Sequence, residues 1–134
     1  FHYFITLSLV PMFRHLTQHC NKQNTVSLKL AQVLKKARQL DALDNTVKSI
    51  PPKGFVFHES RCGSTLVANS LATVDPEKNR VYSESAPLIS AMKTANDESP
   101  EGIQFIKDIV YIMGRTNKIQ EENLFFKIQS IGTT

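Results

Sequence analysis

A polar stretch at positions 58–65, with the sequence His-Glu-Ser-Arg-Cys-Gly-Ser-Thr, carries the residue types that bind a phosphate or sulfate group. Arg61 supplies a charge that is not lost at neutral pH. Gly63 lets the backbone approach a ligand closely or adopt a positive φ. Ser64 and Thr65 can cap a helix and donate hydrogen bonds to an anionic oxygen. We therefore predict that this stretch is an anion cradle.

Two regular elements are expected to position the cradle. The run Phe55–Phe57 is apolar and aromatic, which is typical of a buried strand. From Leu66 to Ala72 apolar and small residues recur at helical spacing. A strand, a polar turn and a helix in this order direct backbone N–H groups and the helix N-terminus toward an anion.

The identity of the anion depends on the residues of the loop. The ATP-binding loop reads G-x-x-x-x-G-K-[ST]. Aligned with it, this chain has His58 in place of the first glycine and Ser64 in place of the lysine. A nucleotide-dependent kinase or hydrolase remains an alternative, although the loop lacks the lysine that binds the phosphates of ATP. A binding module that keeps the cradle but performs no chemistry is a second alternative.

The segment at positions 60–66, Ser-Arg-Cys-Gly-Ser-Thr-Leu, resembles the 5′-phosphosulfate loop of sulfotransferases, which reads [KR]-x-G-[ST]-[ST]. With the preceding Phe-x-Phe-His-Glu it is similar to sulfotransferase-like P-loop proteins, and its motif is closest to the tyrosylprotein branch. The resemblance implies an α/β fold, a three-layer P-loop parallel sheet flanked by helices. It also implies the donor PAPS (3′-phosphoadenosine 5′-phosphosulfate), no metal, and transfer of a sulfuryl group to a hydroxyl-bearing acceptor.

The resemblance also implies roles for particular residues. Arg61 would hold the sulfuryl group and the bridging oxygen, and Glu59 would orient Arg61. The N–H groups from Cys62 to Thr65, with the hydroxyls of Ser64 and Thr65, would grip the 5′-phosphate. Glu84 occupies the place of the glutamate that follows the second strand in a Gly-Glu-Glu-like sequence and serves as base. The arginine and serine that hold the donor's 3′-phosphate in the family have no counterpart in this chain, so the implied donor site is incomplete.

The remaining sequence predicts helices alternating with strands. We expect an amphipathic helix over 25–43, a break caused by two prolines and a glycine over 49–54, a strand over 80–83 and a helix over 88–95. A further helix begins at Ser99-Pro100-Glu101, has a core stripe ending at Met113, and is stopped by Gly114; the last strand spans 123–129. The apolar stripe of the helix that begins at Ser99 comprises Ile103, Ile106, Val110 and Met113. Alternation of this kind predicts a parallel sheet, whose carboxyl edge would bring the loop, Glu84, Lys127 and Ser130 together.

We divide the chain into a helical N-terminal region, 1–49, and the N-terminal part of a sulfotransferase-like P-loop domain, 50–134. The chain of 134 residues begins at Phe1 rather than Met and stops after a strand-like run, so we interpret it as part of a longer protein. The apolar segment 1–13, broken by Pro11, is shorter than the ~20 residues of a membrane span. It is consistent with a truncated signal or membrane anchor, or with a helix packed on the domain, and the compartment stays open.

Composition excludes several classes of function. The net charge of +4 is mild and dispersed, which agrees with an anionic ligand but argues against nucleic acid as a partner. Two cysteines, Cys20 and Cys62, do not form a disulfide framework. His15 and His19 share a predicted helix face, but with Cys20 they do not have zinc-ligand spacing.

Overall fold

The structure, a computed structural model, describes residues 28–43, 47–59, 62–95 and 99–130. These residues form four helices and five strands. In chain order they are α1 (Leu30–Leu43), β1 (Lys48–Ser49), β2 (Pro52–His58), α2 (Ser64–Val74), β3 (Asn79–Ser83), α3 (Ala86–Thr94), α4 (Pro100–Met113), β4 (Arg115–Thr116) and β5 (Asn123–Gln129). The predicted α/β class is confirmed.

The main sheet has three parallel strands in the order β2-β5-β3. The last strand in sequence therefore lies between the two earlier ones. Phe55 pairs with Phe126, and Tyr82 pairs with Phe126 from the other side. Their rings stack at centroid distances of 5.6 and 5.5 Å. This row of three aromatic rings crosses the sheet and fixes the register of all three strands.

Helices flank this sheet. Leu124, Phe126 and Ile128 alternate along β5 and are at most 3% exposed; with Ile50 and Leu88 they form the core. Ile106, Val110 and Met113 of α4 pack against this core. Lys127 lies on the opposite face of β5 and reaches the first turn of α2. The strand thus buries an apolar row under α3 and α4 and places a lysine under α2.

The second sheet is a short antiparallel pair of β1 and β4 that the sequence did not predict. The strand β2 also begins earlier than predicted, because Pro52, Lys53 and Gly54 belong to it. Proline is accepted as the first residue of a strand, where its missing N–H costs little. The register shift between Pro52 and Gly54 absorbs the irregularity. The expected break over 49–54 is therefore wrong.

The helices differ from prediction in detail. The described part of the first predicted helix begins at Leu30, and its first predicted turn lies outside the described residues. The start of α4 is as predicted: Ser99 caps it by accepting a hydrogen bond from the N–H of Gly102 at 3.0 Å. The stripe of α4 is only partly core, since Ile103 is 46% exposed. Ile103 lies near the start of α4, before the part of the helix that packs against the core.

Gly114 follows α4 and ends it, but not through a left-handed backbone, because its φ is −77°. A Cβ built on this residue would lie 2.4 Å from the backbone oxygen of Ile50 and 3.1 Å from the Oγ of Ser49. The N–H of Ile50 donates to the oxygen of Gly114 at 3.0 Å. Close approach of two backbones is therefore the reason that glycine is required here.

A polar cluster joins α1 to α4. The Arg115 guanidinium and the Tyr111 hydroxyl both donate to the carboxylate of Asp41, and Arg38 donates to Asp108 at 2.9 Å. Burial works to raise the pKa of Asp41, but the hydrogen bonds from Tyr111 and Arg115 and the charge of Arg115 outweigh it, so that this pKa is lowered. Burial and the neighbouring Asp41 raise the pKa of Tyr111. The predicted N-terminal region, 1–49, thus contacts the predicted domain, 50–134, through charged side chains.

Candidate functional site

The predicted anion loop lies between β2 and α2, and part of it is described. Ser60 and Arg61 lie outside the described residues. Cys62 is an exposed free thiol. Gly63 is the N-cap of α2, and no side chain caps the helix. The hydroxyls of Ser64 and Thr65, expected to serve as caps, therefore do not, because helix α2 begins at Ser64 itself.

Gly63 has the backbone conformation that the sequence allowed for, with φ 80° and ψ 7°. A Cβ built here meets no atom within 4 Å. The need for glycine is therefore conformational rather than steric, because L-residues rarely adopt this region. The turn directs the first N–H groups of α2, which have no acceptor within the helix, toward the carboxyl edge of the sheet.

A buried lysine connects the loop to the neighbouring strand. The Nζ of Lys127, whose side chain is 1% exposed, lies 2.7 Å from Oε1 of Glu84. It also donates to the hydroxyl of Thr65 at a longer 3.4 Å. The ammonium group thus lies between the first turn of α2 and the carboxylate that follows β3. It places a positive charge under the predicted anion site.

Glu84 has an unusual backbone. Its φ of 52° is the one positive value among the non-glycine residues that the structure describes. Its N–H donates to the backbone oxygen of Lys127 at 2.9 Å, which continues the β3–β5 pairing by one residue. A left-handed conformation costs an L-residue ~1–2 kcal/mol. Strain of this kind is concentrated at functional sites, and here it turns the carboxylate back over the end of β5.

His58 brings a third ionisable group to the same carboxylate. Its Nδ1 lies 2.9 Å from the backbone oxygen of Glu59. A carbonyl only accepts, so this nitrogen carries a hydrogen. Its Nε2 lies 3.5 Å from Oε1 of Glu84 and has no hydrogen-bond partner among the described residues. The backbone oxygen of His58 accepts from both the N–H and the hydroxyl of Ser130, at 2.8 and 3.0 Å.

Ser83 adds a further unsatisfied polar atom at this edge. It is paired with Lys127 in the β3–β5 register, and its hydroxyl is buried without a described hydrogen-bond partner. Buried polar atoms are nearly always hydrogen-bonded, so two unpartnered ones beside one ion pair need an explanation. For the Ser83 hydroxyl, a polar ligand that enters from the loop side would be such an explanation.

The structure thus brings most of the predicted site residues to one edge of the sheet. Ser64 and Thr65 begin α2, and Glu84 and Lys127 meet beside them. Ser130 contacts the backbone of His58. The sequence analysis assigned no role to His58, and the only signal was its position as the last residue of a strand that leads into the loop.

A separate cavity of about 740 Å³ lies between α1, α4 and the start of β2. Its walls are mainly apolar, with Ile50, Phe55 and Val110 among them, and it is not lined by His58, Glu84 or Lys127. Asp41 and Tyr111, which also line it, are hydrogen-bonded to each other.

Within the described ranges, no group of three or more His, Cys, Asp or Glu side chains could hold a metal ion. No helix in the described part of the chain is long and apolar enough to cross a membrane. Comparison of the chain with protein-family models, curated proteins and solved structures found no match in any of the three.

Proposed function

We propose that this chain is part of a P-loop sulfotransferase that transfers a sulfuryl group from PAPS to the hydroxyl of an acceptor. The observation that carries the proposal is the Lys127 ammonium, which is buried at the carboxyl edge of a parallel sheet between Thr65 of the loop helix and the Glu84 carboxylate. A buried cation beside an anion loop and a candidate base is the combination that such a transfer requires.

The described residues fit a phosphosulfate group. The helix α2 has no side-chain cap, and its first N–H groups are available to an anion. Gly63 holds the left-handed turn that aims them, and Lys127 supplies a charge from below. Arg61, by the resemblance stated above, would complete the cradle around the sulfuryl group. A bound phosphosulfate would supply the sulfur centre and a phosphate leaving group.

Glu84 is the proposed base for the acceptor. Its described contacts, to Lys127 and His58, are both made by Oε1. The second oxygen, Oε2, is therefore the one proposed to accept the proton of the acceptor hydroxyl. The strained backbone and the bond from its N–H to the oxygen of Lys127 hold the carboxylate at the edge where the loop ends.

A second candidate, a nucleotide-dependent kinase or hydrolase, is favoured by the same lysine. Ser64 stands where the ATP-binding loop has its lysine. Lys127, from a different strand, places an ammonium beside the adjacent Thr65. It is therefore positioned to replace the missing cation toward the phosphates of Mg-ATP.

Calorimetric titration with PAP, the desulfated donor, and separately with Mg-ATP distinguishes the two candidates. We expect PAP to bind the wild-type protein more tightly than Mg-ATP. Because hydrogen bonds to charged groups contribute about 1.5–3 kcal/mol, Arg61→Ala and Lys127→Met should each weaken PAP binding by about 10- to 100-fold.

The control is Lys35→Met, which removes the same charge from an exposed position on α1 and should leave PAP affinity unchanged. Tighter binding of Mg-ATP than of PAP would replace the first candidate with the second. The titrations use the full-length protein, which would also have to supply the missing 3′-phosphate site. If neither ligand bound it in its folded state, both candidates would be wrong and a non-catalytic module would remain.

A further inference from the structure

We infer that His58 is the proton acceptor behind Glu84, so that the base of the proposed transfer is a carboxylate–imidazole pair. This inference rests on the proposed function and adds a residue to it. Because His58 acts through Glu84, it is a positioning residue and does not touch the substrate.

The first argument is the tautomer of His58. Its Nδ1 faces the oxygen of Glu59 at 2.9 Å, and only a protonated nitrogen can make that contact. In the neutral ring the other nitrogen, Nε2, then carries no hydrogen and presents a lone pair. The contact with Glu59 therefore commits Nε2 to accepting a hydrogen.

The second argument is what Nε2 faces. It lies 3.5 Å from Oε1 of Glu84, and no described residue donates a hydrogen bond to it. While the carboxylate is ionised, this contact brings two acceptors together. When Glu84 takes a proton, the acid becomes a donor and Nε2 gains the partner it lacks. The contact is therefore complete once one proton lies between Oε1 and Nε2, on either partner.

The third argument is the direction of proton transfer. Nε2 carries a lone pair and lies 3.5 Å from Oε1 of Glu84, so a proton on that oxygen has an acceptor beside it. In the proposed step, the acceptor oxygen loses its proton to Glu84 and forms a bond to sulfur. The electron pair of the broken sulfur–oxygen bond leaves on the 5′-phosphate. Rotation of the carboxyl group exchanges its two oxygens, so that the proton taken up at Oε2 faces Nε2 of His58 and passes to it. The imidazolium then faces the restored Glu84 carboxylate.

The structure also explains why His58 stays in place. Its side chain is 6% exposed, and its backbone oxygen is held by two hydrogen bonds from Ser130. These bonds involve the backbone and not the ring.

The first test does not depend on activity. Correlation spectra of the imidazole ¹H and ¹⁵N nuclei, with the His58 signal identified by its loss in His58→Gln, report which ring nitrogen carries hydrogen in the neutral ring. We expect the hydrogen on Nδ1, whereas free histidine prefers it on Nε2. A hydrogen on Nε2 would overturn the inference.

The second test measures turnover without a known acceptor, as release of sulfate from ³⁵S-labelled PAPS with water as the acceptor. We expect kcat to fall about 10²-fold in His58→Gln, the lower end of proton-transfer effects, with PAP affinity within about twofold of wild type. Lys35→Met, the exposed control on α1, should keep kcat within about twofold. Equal kcat in wild type and His58→Gln would overturn this inference alone. No PAP binding by the wild type would overturn the proposed function.

The third test separates basicity from space filling. In His58→Ala, added imidazole should restore turnover, whereas pyrazole, of nearly the same shape but much less basic, should not. Equal restoration by both rings would show that the site needs only a filled volume and would overturn the inference.

Discussion

Strand β3 has a buried ion pair near each end, and the two pairs differ in the number of further hydrogen bonds that the cation makes. At its start, the Arg80 guanidinium pairs with Glu121 and also donates to the backbone oxygens of Met113 and Arg115, at 3.2 and 2.9 Å. At its end, Lys127 pairs with Glu84 and has only a 3.4 Å contact to a hydroxyl besides.

The surroundings of the two pairs differ in the same sense. The Arg80 pair joins the end of α4, β3 and the segment before β5 into one unit, as a structural contact does. The Lys127 pair lies beside a strained backbone at Glu84 and unpartnered polar atoms of His58 and Ser83. A fold tolerates strain and unpaired groups mainly where function requires them. These differences favour a structural role for the first pair and are the reason for placing the proposed ligand site at the second.

The largest expected effect is the loss of stability that follows from breaking the Arg80–Glu121 pair. Arg80→Met leaves the Glu121 carboxylate, 4% exposed as a residue, without its guanidinium. The free energy of unfolding should fall by up to about 3–5 kcal/mol, because the buried carboxylate keeps only the longer ion pair with Lys118, at 3.6 Å. Urea denaturation measures this.

The double variant Arg80→Met/Glu121→Leu is the control for that loss. It should recover most of the stability, because an apolar pair can replace a buried ion pair at little cost. Its PAP affinity should equal that of wild type. A change in PAP affinity in this folded double variant would remove the distinction between the two pairs.

The second prediction addresses the other pair. Glu84→Gln keeps an oxygen for Lys127 but removes the base, so sulfate release from PAPS should fall about 10²-fold or more. The free energy of unfolding should fall by about 1–3 kcal/mol, less than for Arg80→Met, because the amide oxygen still accepts from Lys127. Unchanged sulfate release would show that Glu84 is structural, like Glu121.

Two glycines extend the comparison, one near each pair. Gly114→Ala introduces a Cβ against the backbone oxygen of Ile50, which cannot move without breaking the contact between the two segments. We expect a loss of about 2 kcal/mol in the free energy of unfolding, typical of overpacking, and no change in PAP affinity. Thermal denaturation and the PAP titration check the two parts.

At Gly63 the expected loss of stability is smaller, but binding should change. Gly63→Ala is strained by its positive φ and should cost about 1 kcal/mol of stability while weakening PAP binding. Gly63→Asn is the matched variant, because asparagine adopts this conformation more readily than alanine does, and it should retain more of the affinity. Equal PAP affinity in all three proteins would argue against this turn as the anion site.

The smallest effect is expected where α1 meets α4, remote from both pairs. The lowered pKa of Asp41 means that its contribution is present above its unfolded pKa of about 3.9 and is lost as pH falls through the lower folded value. The raised pKa of Tyr111 means that its contribution is present below about pH 10 and is lost as pH rises through the folded value.

Because these groups lie near the surface, Asp41→Asn should lower the free energy of unfolding at neutral pH by less than about 1 kcal/mol. The difference from wild type should shrink as pH falls below about 4 and disappear once pH is below the lowered pKa of Asp41 in the folded protein. Denaturant titrations across this range test it, with Asp108→Asn, in an exposed pair with Arg38, as the control. A difference that persisted in acid would contradict the assignment to Asp41.

The sequence predicted those elements whose signals are local. The strand Asn123–Gln129 has its predicted bounds, because its alternation and flanking polar residues define it. The start of α4 is likewise encoded within Ser99-Pro100-Glu101. By contrast, β1 and β4 are two residues each and exist only through pairing between positions far apart in the chain, so no local pattern marks them.

The site was predictable in its location but not in its bonding. Parallel topology alone placed Glu84 and Lys127 near the loop, because the carboxyl ends of the strands meet at one edge. The positive φ of Glu84 and the orientation of the His58 ring depend on contacts with β5 and Glu59 that have no sequence signature. Nor does the sequence show which of the loop residues caps α2, because Gly63, Ser64 and Thr65 are all acceptable there.

The strand order has a consequence for the time course of folding. Strands β2 and β3 pair only with β5 in the main sheet, and β5 is the last strand of the described chain to leave the ribosome. Until it arrives, both earlier strands lack their hydrogen-bonding neighbour, and β5 must then enter between them. This makes the sheet a late product of synthesis, built from long-range contacts that form slowly. A nascent chain halted before Asn123 would hold the loop sequence but no sheet edge to present it.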